Sequence, residues 1–119
     1  MYFYIFAMDL IVAAMETGSL PHFEKVLKAN PILTYDDIEG KPNIIYLAIS
    51  SRVYPDIYLS LLLQDINKDV LNYLINQDVE KCMSPLSLAC DSGKWTCAFY
   101  LLDHGVNVNP VGELEFFSD

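Results

Sequence analysis

The chain has 119 residues, about half of them apolar, and a formal net charge of −9. This length suits one small domain. The excess of carboxylates argues against sequence-independent binding to nucleic acid or to anionic membranes, because both need lysines and arginines to neutralise phosphates.

Three cysteines without a disulfide pattern suggest a reducing, intracellular compartment. The apolar opening, residues 1–7, lacks the basic start of a signal peptide and is shorter than the roughly 20 residues of a membrane span.

The first predicted unit covers residues 9–34 and contains two helices. Asp9 is a candidate cap of the first helix, and Gly18 ends it. Its apolar face consists of Ile11, Ala14 and Met15. Ser19 and the following Pro21 start the second helix. Its apolar stripe consists of Leu20, Phe23, Val26 and Leu27. Asn30 is expected to end that helix in the left-handed conformation that asparagine tolerates after glycine.

The second predicted unit covers residues 37–67 and is less regular. An acidic turn over residues 35–41 precedes it, and Asn43 introduces the first helix. The apolar face of this helix consists of Ile45, Ala48 and Ile49. Arg52 lies where a terminating glycine is expected. The second helix is therefore expected to begin at Tyr54-Pro55-Asp56. The second helix presents Ile57, Leu61 and Leu62.

The segment 68–80 is longer than a connecting turn requires. Residues 69–76 have apolar side chains at helical spacing. The residues concerned are Val70, Tyr73 and Leu74. They fit either an inserted short helix or an extension of the outer helix layer.

The most regular stretch is residues 83–109. Ser84-Pro85 is a strong helix start, and Gly93 ends the short helix that follows. Its apolar face consists of Leu86, Ala89 and Cys90. The next helix runs from Trp95 to Leu102, closes at Gly105 and has a stripe formed by Ala98, Leu101 and Leu102. Trp95 is expected to be partly buried. Residues 110–119 either fold back as a cap or lead into a longer array.

This stretch resembles an ankyrin repeat, whose pattern is Thr-Pro-Leu-His-x-Ala-Ala-x-x-Gly, a leucine-rich helix and Gly-Ala-x-x-Asn. The matching residues are Ser84, Pro85, Leu86, Ala89, Gly93, Leu101, Leu102, Gly105 and Asn109. Ser87 and Cys90 depart from it. The resemblance implies an all-α, ankyrin-type helix-turn-helix solenoid with short hairpin loops, forming a single domain of about three repeats. The repeats would cover 9–34, an irregular 37–67 with the insertion 68–80, and 81–109, followed by the tail 110–119.

The same resemblance implies a non-catalytic protein–protein interaction module that needs no cofactor. Ankyrin repeats bind partners through hairpin tips and inner helices, and Asp37-x-x-Gly40 matches such a hairpin. The residues placed on this concave surface are Tyr35, Asp36, Glu39, Tyr46 and Lys81. An acidic, tyrosine-bearing groove would favour a basic partner protein, most simply in the cytoplasm. The alternative is a structural or regulatory scaffold segment of a longer ankyrin-repeat protein.

A small enzyme or metal site is a third hypothesis, which the spacing disfavours. The candidate residues are Cys82, Cys90, Cys97, His22 and His104. They include neither Cys-x-x-Cys nor a histidine pair one helical turn apart. Cys97 and His104 are about 10 Å apart along a helix, too far for a nucleophile and its base. Cys90 and Cys97 are expected in the core, His104 at a helix end, and the carboxylates of residues 36–39 on a hairpin without calcium-loop spacing. We therefore expect no catalytic residue and no metal.

Overall fold

The computed structural model describes residues 7–77 and 84–104, and these residues form helices and turns without a strand. The α-helices are α1 (Ala7–Glu16), α2 (Leu20–Ala29), α3 (Ile44–Ser50), α4 (Pro55–Asp65), α5 (Lys68–Asn76), α6 (Pro85–Asp91) and α7 (Trp95–Asp103). A short 3₁₀ helix covers Tyr35–Asp37. The prediction of an all-α chain is confirmed for this part. Lys81, Cys82, Gly105 and the tail 110–119 lie outside the described residues.

The helices pack as three pairs in two layers. Each pair joins successive helices: α1 with α2, α3 with α4, and α6 with α7. The first helices of the pairs contact one another in the order α1, α3, α6, and the second helices in the order α2, α4, α7. The additional helix α5 contacts α3 and α6. Residues 69–76 are therefore an inserted helix, one of the two alternatives that the sequence allowed.

The helix starts follow from side-chain caps and proline. Ser19, Asn43, Asn67 and Ser84 each accept a hydrogen bond from a backbone N–H of the helix that follows. A proline lies in the first turn of α2, α4 and α6, where its missing N–H costs nothing. Asp9 does not cap α1 as predicted. It lies within the first turn, and its carboxylate is 3.1 Å from the Lys41 ammonium.

The turns inside the helix pairs use left-handed residues. Gly18 has φ of 75° and Gly93 has φ of 70°. The α3–α4 turn has no glycine and places Tyr54 there instead, with φ of 54°. The prediction for Asn30 was wrong, since its φ is −132°. Its side-chain amide instead donates to the Val26 carbonyl, 2.9 Å away, which satisfies the last turn of α2 without a left-handed residue.

Small and aromatic side chains fill the space between the layers. Ala14, Ala48 and Ala89 are buried in the first helices, which brings each helix close to its partner. The Tyr58 ring meets Phe23 edge to face at 4.7 Å between centroids, and its hydroxyl donates to the Met15 carbonyl. Burial and the nearby Tyr54 raise the pKa of the Tyr58 hydroxyl. Lys94, in the turn between α6 and α7, donates through its ammonium to the carbonyls of Ile49 and Ser51 at the end of α3. A cation therefore faces the negative end of that helix.

Several predicted core residues lie on the surface. The exposed ones are Ile57, Tyr73, Cys90, Trp95 and Leu102. In α4 the buried stripe is shifted by one residue, so that Tyr58 and Leu59 replace Ile57. In α5 the stripe is Val70, Leu71, Leu74 and Ile75, which turns Tyr73 outwards. Cys90, Trp95 and Leu102 belong to the last described pair, which has no following pair among the described residues.

Candidate functional site

A groove of about 410 Å³ separates the 35–41 turn from α5. Its lining combines aromatic, aliphatic and charged side chains. We call it the tyrosine groove, formed by Tyr35, Ile38, Glu39, Gly40, Lys41, Tyr73, Leu74 and Gln77. Its volume lies within the range of binding clefts in proteins.

Two tyrosines dominate the groove and are held in place by their hydroxyls. The rings of Tyr35 and Tyr73 meet nearly at right angles, with centroids 5.7 Å apart. The Tyr35 hydroxyl donates to the Asp69 carbonyl at 3.3 Å, and the Tyr73 hydroxyl accepts from the Gln77 side-chain amide at 3.2 Å. The side chains nevertheless remain 53% and 48% exposed. The groove thus presents fixed aromatic surface to an incoming ligand.

The turn that carries Tyr35 is built around the Asp37 carboxylate. One Asp37 oxygen accepts from the backbone N–H groups of Leu33 and Thr34, at 2.9 and 3.0 Å. Gly40 then takes φ of 70° and reverses the chain. Because Asp37 is occupied in holding the turn, the carboxylates that face solvent here are those of Asp36 and Glu39.

Asn43 connects this side of the molecule to the end of α5. Its side-chain oxygen accepts from the backbone N–H groups of Ile45 and Tyr46, at 3.0 and 3.2 Å. Its amide nitrogen donates to the Leu74 carbonyl and to the Gln77 side-chain oxygen, both at 2.9 Å. Two donors and two acceptor positions are all used, so this buried amide is fully satisfied. The Gln77 side-chain amide donates in turn to the Tyr73 hydroxyl, so that Asn43 is linked to the tyrosine groove.

The structure brings together part of the predicted partner-binding set. Tyr35 and Glu39 line the tyrosine groove, and Asp36 lies exposed beside them on the 3₁₀ helix. Tyr46 is half-buried on α3 and does not line the groove. Lys81 lies outside the described residues. Tyr73 was predicted in the apolar stripe of α5 but lies on the surface. The usable signal was the second apolar set Val70, Leu71, Leu74 and Ile75, which leaves Tyr73 at its edge.

Carboxylates predominate around the groove. Asp36, Glu39 and Asp69 are exposed, whereas the cation of the lining, Lys41, is paired with Asp9. Lys68 lies at the start of α5 but lines a different cavity, together with Asp103 and His104. The surface at the groove therefore suits a positively charged group more than an anion.

The thiols and imidazoles of the described residues do not form a cluster. Burial raises the pKa of the Cys97 thiol, and the Asp56 carboxylate adds to this effect while Lys94 opposes it. Cys97 is thus held as a protonated, inaccessible thiol, which is the reverse of an activated nucleophile. His104 lies at the end of α7 with Nδ1 2.9 Å from the Tyr100 carbonyl. In the described part of the chain, no three His, Cys, Asp or Glu side chains are grouped closely enough to hold a metal ion.

No protein-family model matches this chain, and neither the curated proteins nor the solved structures compared with it give a match. Within residues 7–77 and 84–104, no helix combines the length and apolar composition needed to cross a membrane.

Proposed function

We propose that this chain is a non-catalytic protein–protein interaction module of the ankyrin-repeat type. The sequence pattern of residues 83–109 supports this, as does the packing of three helix pairs in two layers. Buried alanines recur in the first helix of each pair, where close approach of two helices requires small side chains. The module would act in the cytoplasm, where the thiols of Cys90 and Cys97 stay reduced.

The tyrosine groove is the proposed binding surface. The observation that carries this proposal is the exposed Tyr35–Tyr73 pair, because two fixed rings offer contact area at little entropic cost. Asp36 and Glu39 are placed to contact the same ligand from the turn. Tyr46 does not line this surface, and Lys81 lies outside the described residues.

The ligand is proposed to be a protein segment that carries a lysine or arginine. A cation over a tyrosine face gains roughly 0.5–2 kcal/mol, depending on how far it is desolvated. Each hydroxyl makes one hydrogen bond within the chain, which fixes the two rings so that their exposed faces and edges can meet the ligand. The carboxylates of Asp36 and Glu39 then compensate the charge of the incoming group.

Peptide display against the folded chain tests this proposal. Selection should enrich peptides that contain lysine or arginine, and replacing that residue by neutral citrulline or norleucine should weaken binding about tenfold. Tyr73→Ala should weaken the binding of the selected peptides by a similar factor. Far-UV circular dichroism should stay unchanged, because Tyr73 is a surface residue.

Ile57→Ala is the matched control, since Ile57 is also an exposed apolar residue but does not line the groove. It should leave peptide affinity within about twofold. If Tyr73→Ala and Tyr35→Ala bind the selected peptides as tightly as the parent chain does, the groove is not the binding surface. If no peptide is enriched over a blank selection, the binding function itself is refuted.

A scaffold segment of a longer ankyrin-repeat protein is the second candidate function. One observation favours it: Trp95 and Phe99 on α7 are exposed large apolar residues at the end of the last described pair. Under this alternative, variants of the groove would leave the assembly of the larger protein intact.

A further inference from the structure

Two exposed ring surfaces of the tyrosine groove form a corner. The planes of Tyr35 and Tyr73 are inclined at 87°, and their centroids are 5.7 Å apart. Both rings line the same cavity and remain half-exposed, so the corner is open to a ligand. A rounded group that rests on the face of one ring also touches the other ring at this inclination, whereas a flat group stacks on one ring alone.

The corner is held in shape by hydrogen bonds made outside it. The Tyr35 hydroxyl donates to the Asp69 carbonyl, which ties the ring of the turn to α5. The Tyr73 hydroxyl accepts from the amide nitrogen of Gln77. The side-chain oxygen of Gln77 accepts in turn from the buried amide of Asn43. Because both rings are anchored before a ligand arrives, binding costs little side-chain entropy.

The charges around the corner favour a cation. The Glu39 carboxylate lines the groove, and Asp36 is exposed on the adjoining 3₁₀ helix. The cation of the lining, Lys41, has its ammonium 3.1 Å from the Asp9 carboxylate, so that its charge is compensated within the chain. A ligand cation therefore meets two ring faces and uncompensated negative charge at one place.

We propose that the tyrosine groove recognises N-methylated lysine, an inference that rests on the binding function proposed above and names its ligand more closely. Methylation keeps the charge of the lysine ammonium. It replaces N–H donors by methyl groups, which gives a larger, rounded cation that ring faces attract. Unmodified lysine is a compact, strongly hydrated charge with three donors. Ring faces do not replace the water that this group loses on binding.

The Glu39 carboxylate favours dimethyllysine among the methylated forms. A dimethylammonium group retains one N–H, which can donate to a carboxylate while its two methyl groups contact the two rings. A trimethylammonium group has no donor, and a monomethylammonium group has one methyl group for two rings. Arginine presents a planar guanidinium, which stacks on a single ring face. Two rings and one carboxylate thus fit the dimethyl form best.

NMR titration with N-acetyl-lysine amides tests this assignment on the folded chain. Dimethyllysine amide should shift the ring protons of Tyr35 and Tyr73, with a Kd at least about fivefold below that of the unmodified lysine amide. Its Kd should also lie about twofold below that of the trimethyl form. A neutral isostere, in which a tert-butyl group replaces trimethylammonium, should bind at least about fivefold more weakly than trimethyllysine, because it keeps the shape without the charge.

Two substitutions of Tyr73 separate the ring from its apolar bulk. Tyr73→Leu keeps apolar bulk without a ring face, and should bring the Kd values of the dimethyl and unmodified probes within about twofold of each other. Tyr73→Phe is the matched control, since it keeps the ring and loses the bond to Gln77, and should retain most of the preference. Glu39→Gln should abolish the preference for dimethyllysine over trimethyllysine while both remain tighter than unmodified lysine. Far-UV circular dichroism should be the same for all three variants.

Equal affinity for the dimethyl and unmodified probes overturns the proposal, and so does a preference that survives Tyr73→Leu. A parent chain that prefers trimethyllysine to dimethyllysine overturns the part assigned to Glu39. These results leave the proposed binding function standing, because peptides with unmodified lysine or arginine would still be selected at the groove. If peptide display enriches nothing and no probe shifts the tyrosine rings, the binding function and the preference for methylated lysine are both refuted.

Discussion

Asn43 shows how one residue can organise both a helix start and a contact between distant elements. Its oxygen caps α3, while its nitrogen holds the end of α5, 31 residues further along the chain. A serine cap would serve α3 equally well, since N-caps need only an acceptor. The amide is required by the second task, because only asparagine among the good caps also carries two donors.

We expect Asn43→Ala to lower the free energy of unfolding by about 2–4 kcal/mol. About 1 kcal/mol is the lost cap, and the remainder comes from the two lost hydrogen bonds to the Leu74 carbonyl and the Gln77 side-chain oxygen, at about 0.5–1.5 kcal/mol each. The Leu74 carbonyl then keeps only its longer bond of 3.4 Å from the Gln77 backbone N–H. Asn43→Ser, which keeps an acceptor for the cap, should lose about half as much. Urea unfolding followed by circular dichroism measures both. If Asn43→Ser and Asn43→Ala are equally destabilised, the contact with α5 rather than the cap dominates.

At the scale of the element, the end of α6 depends on backbone conformation alone. Gly93 is left-handed, its N–H donates to the Cys90 carbonyl, and the N–H of Lys94 donates to the Ala89 carbonyl at 2.8 Å. These bonds satisfy carbonyls that the short helix leaves open. Apart from Gly93 itself and its two chain neighbours, no residue has an atom within 4 Å of the position that a Cβ would occupy there. A side chain would therefore meet conformational strain but no steric obstacle.

We expect Gly93→Ala to destabilise the chain by about 1–2 kcal/mol, the cost of a left-handed residue that carries a Cβ. Gly93→Asn should cost less, because asparagine tolerates this conformation. Thermal unfolding of the two variants gives the comparison. If the two variants lose equal stability, the left-handed φ of residue 93 is not the cause of the destabilisation.

The sequence predicts the helix pairs well because their signals are local. Ser19, Ser84 and Gly93 mark starts and ends through chemistry within four residues, and the inserted helix α5 is visible from its own spacing. Asn30 failed because a helix end has several solutions, and its side chain supplies one that needs no left-handed backbone.

The candidate site is less predictable because it depends on distant contacts. Tyr35 and Glu39 were expected from the turn they occupy. Tyr73 joins them only through packing that brings α5 beside the 35–41 turn, including a hydrogen bond across 34 residues of sequence. Helical spacing also assigned Leu102 to the core, although it is 44% exposed, because the pattern of one helix does not show which neighbours pack against it.

Net charge gives the last prediction, at the scale of the whole chain. With a formal charge of −9, the compact state suffers self-repulsion that salt screens over about 8–10 Å. The partly exposed Lys41–Asp9 bridge contributes little attraction for salt to weaken. Raising NaCl from about 20 to about 300 mM should therefore increase the free energy of unfolding by about 0.5–1 kcal/mol, as measured by urea unfolding at low micromolar protein.

The double variant Asp36→Asn, Glu39→Gln removes two negative charges from exposed positions, so its free energy of unfolding should rise less on adding salt. A loss of stability on adding salt would show that attractive pairs, not net repulsion, dominate the electrostatics of this fold.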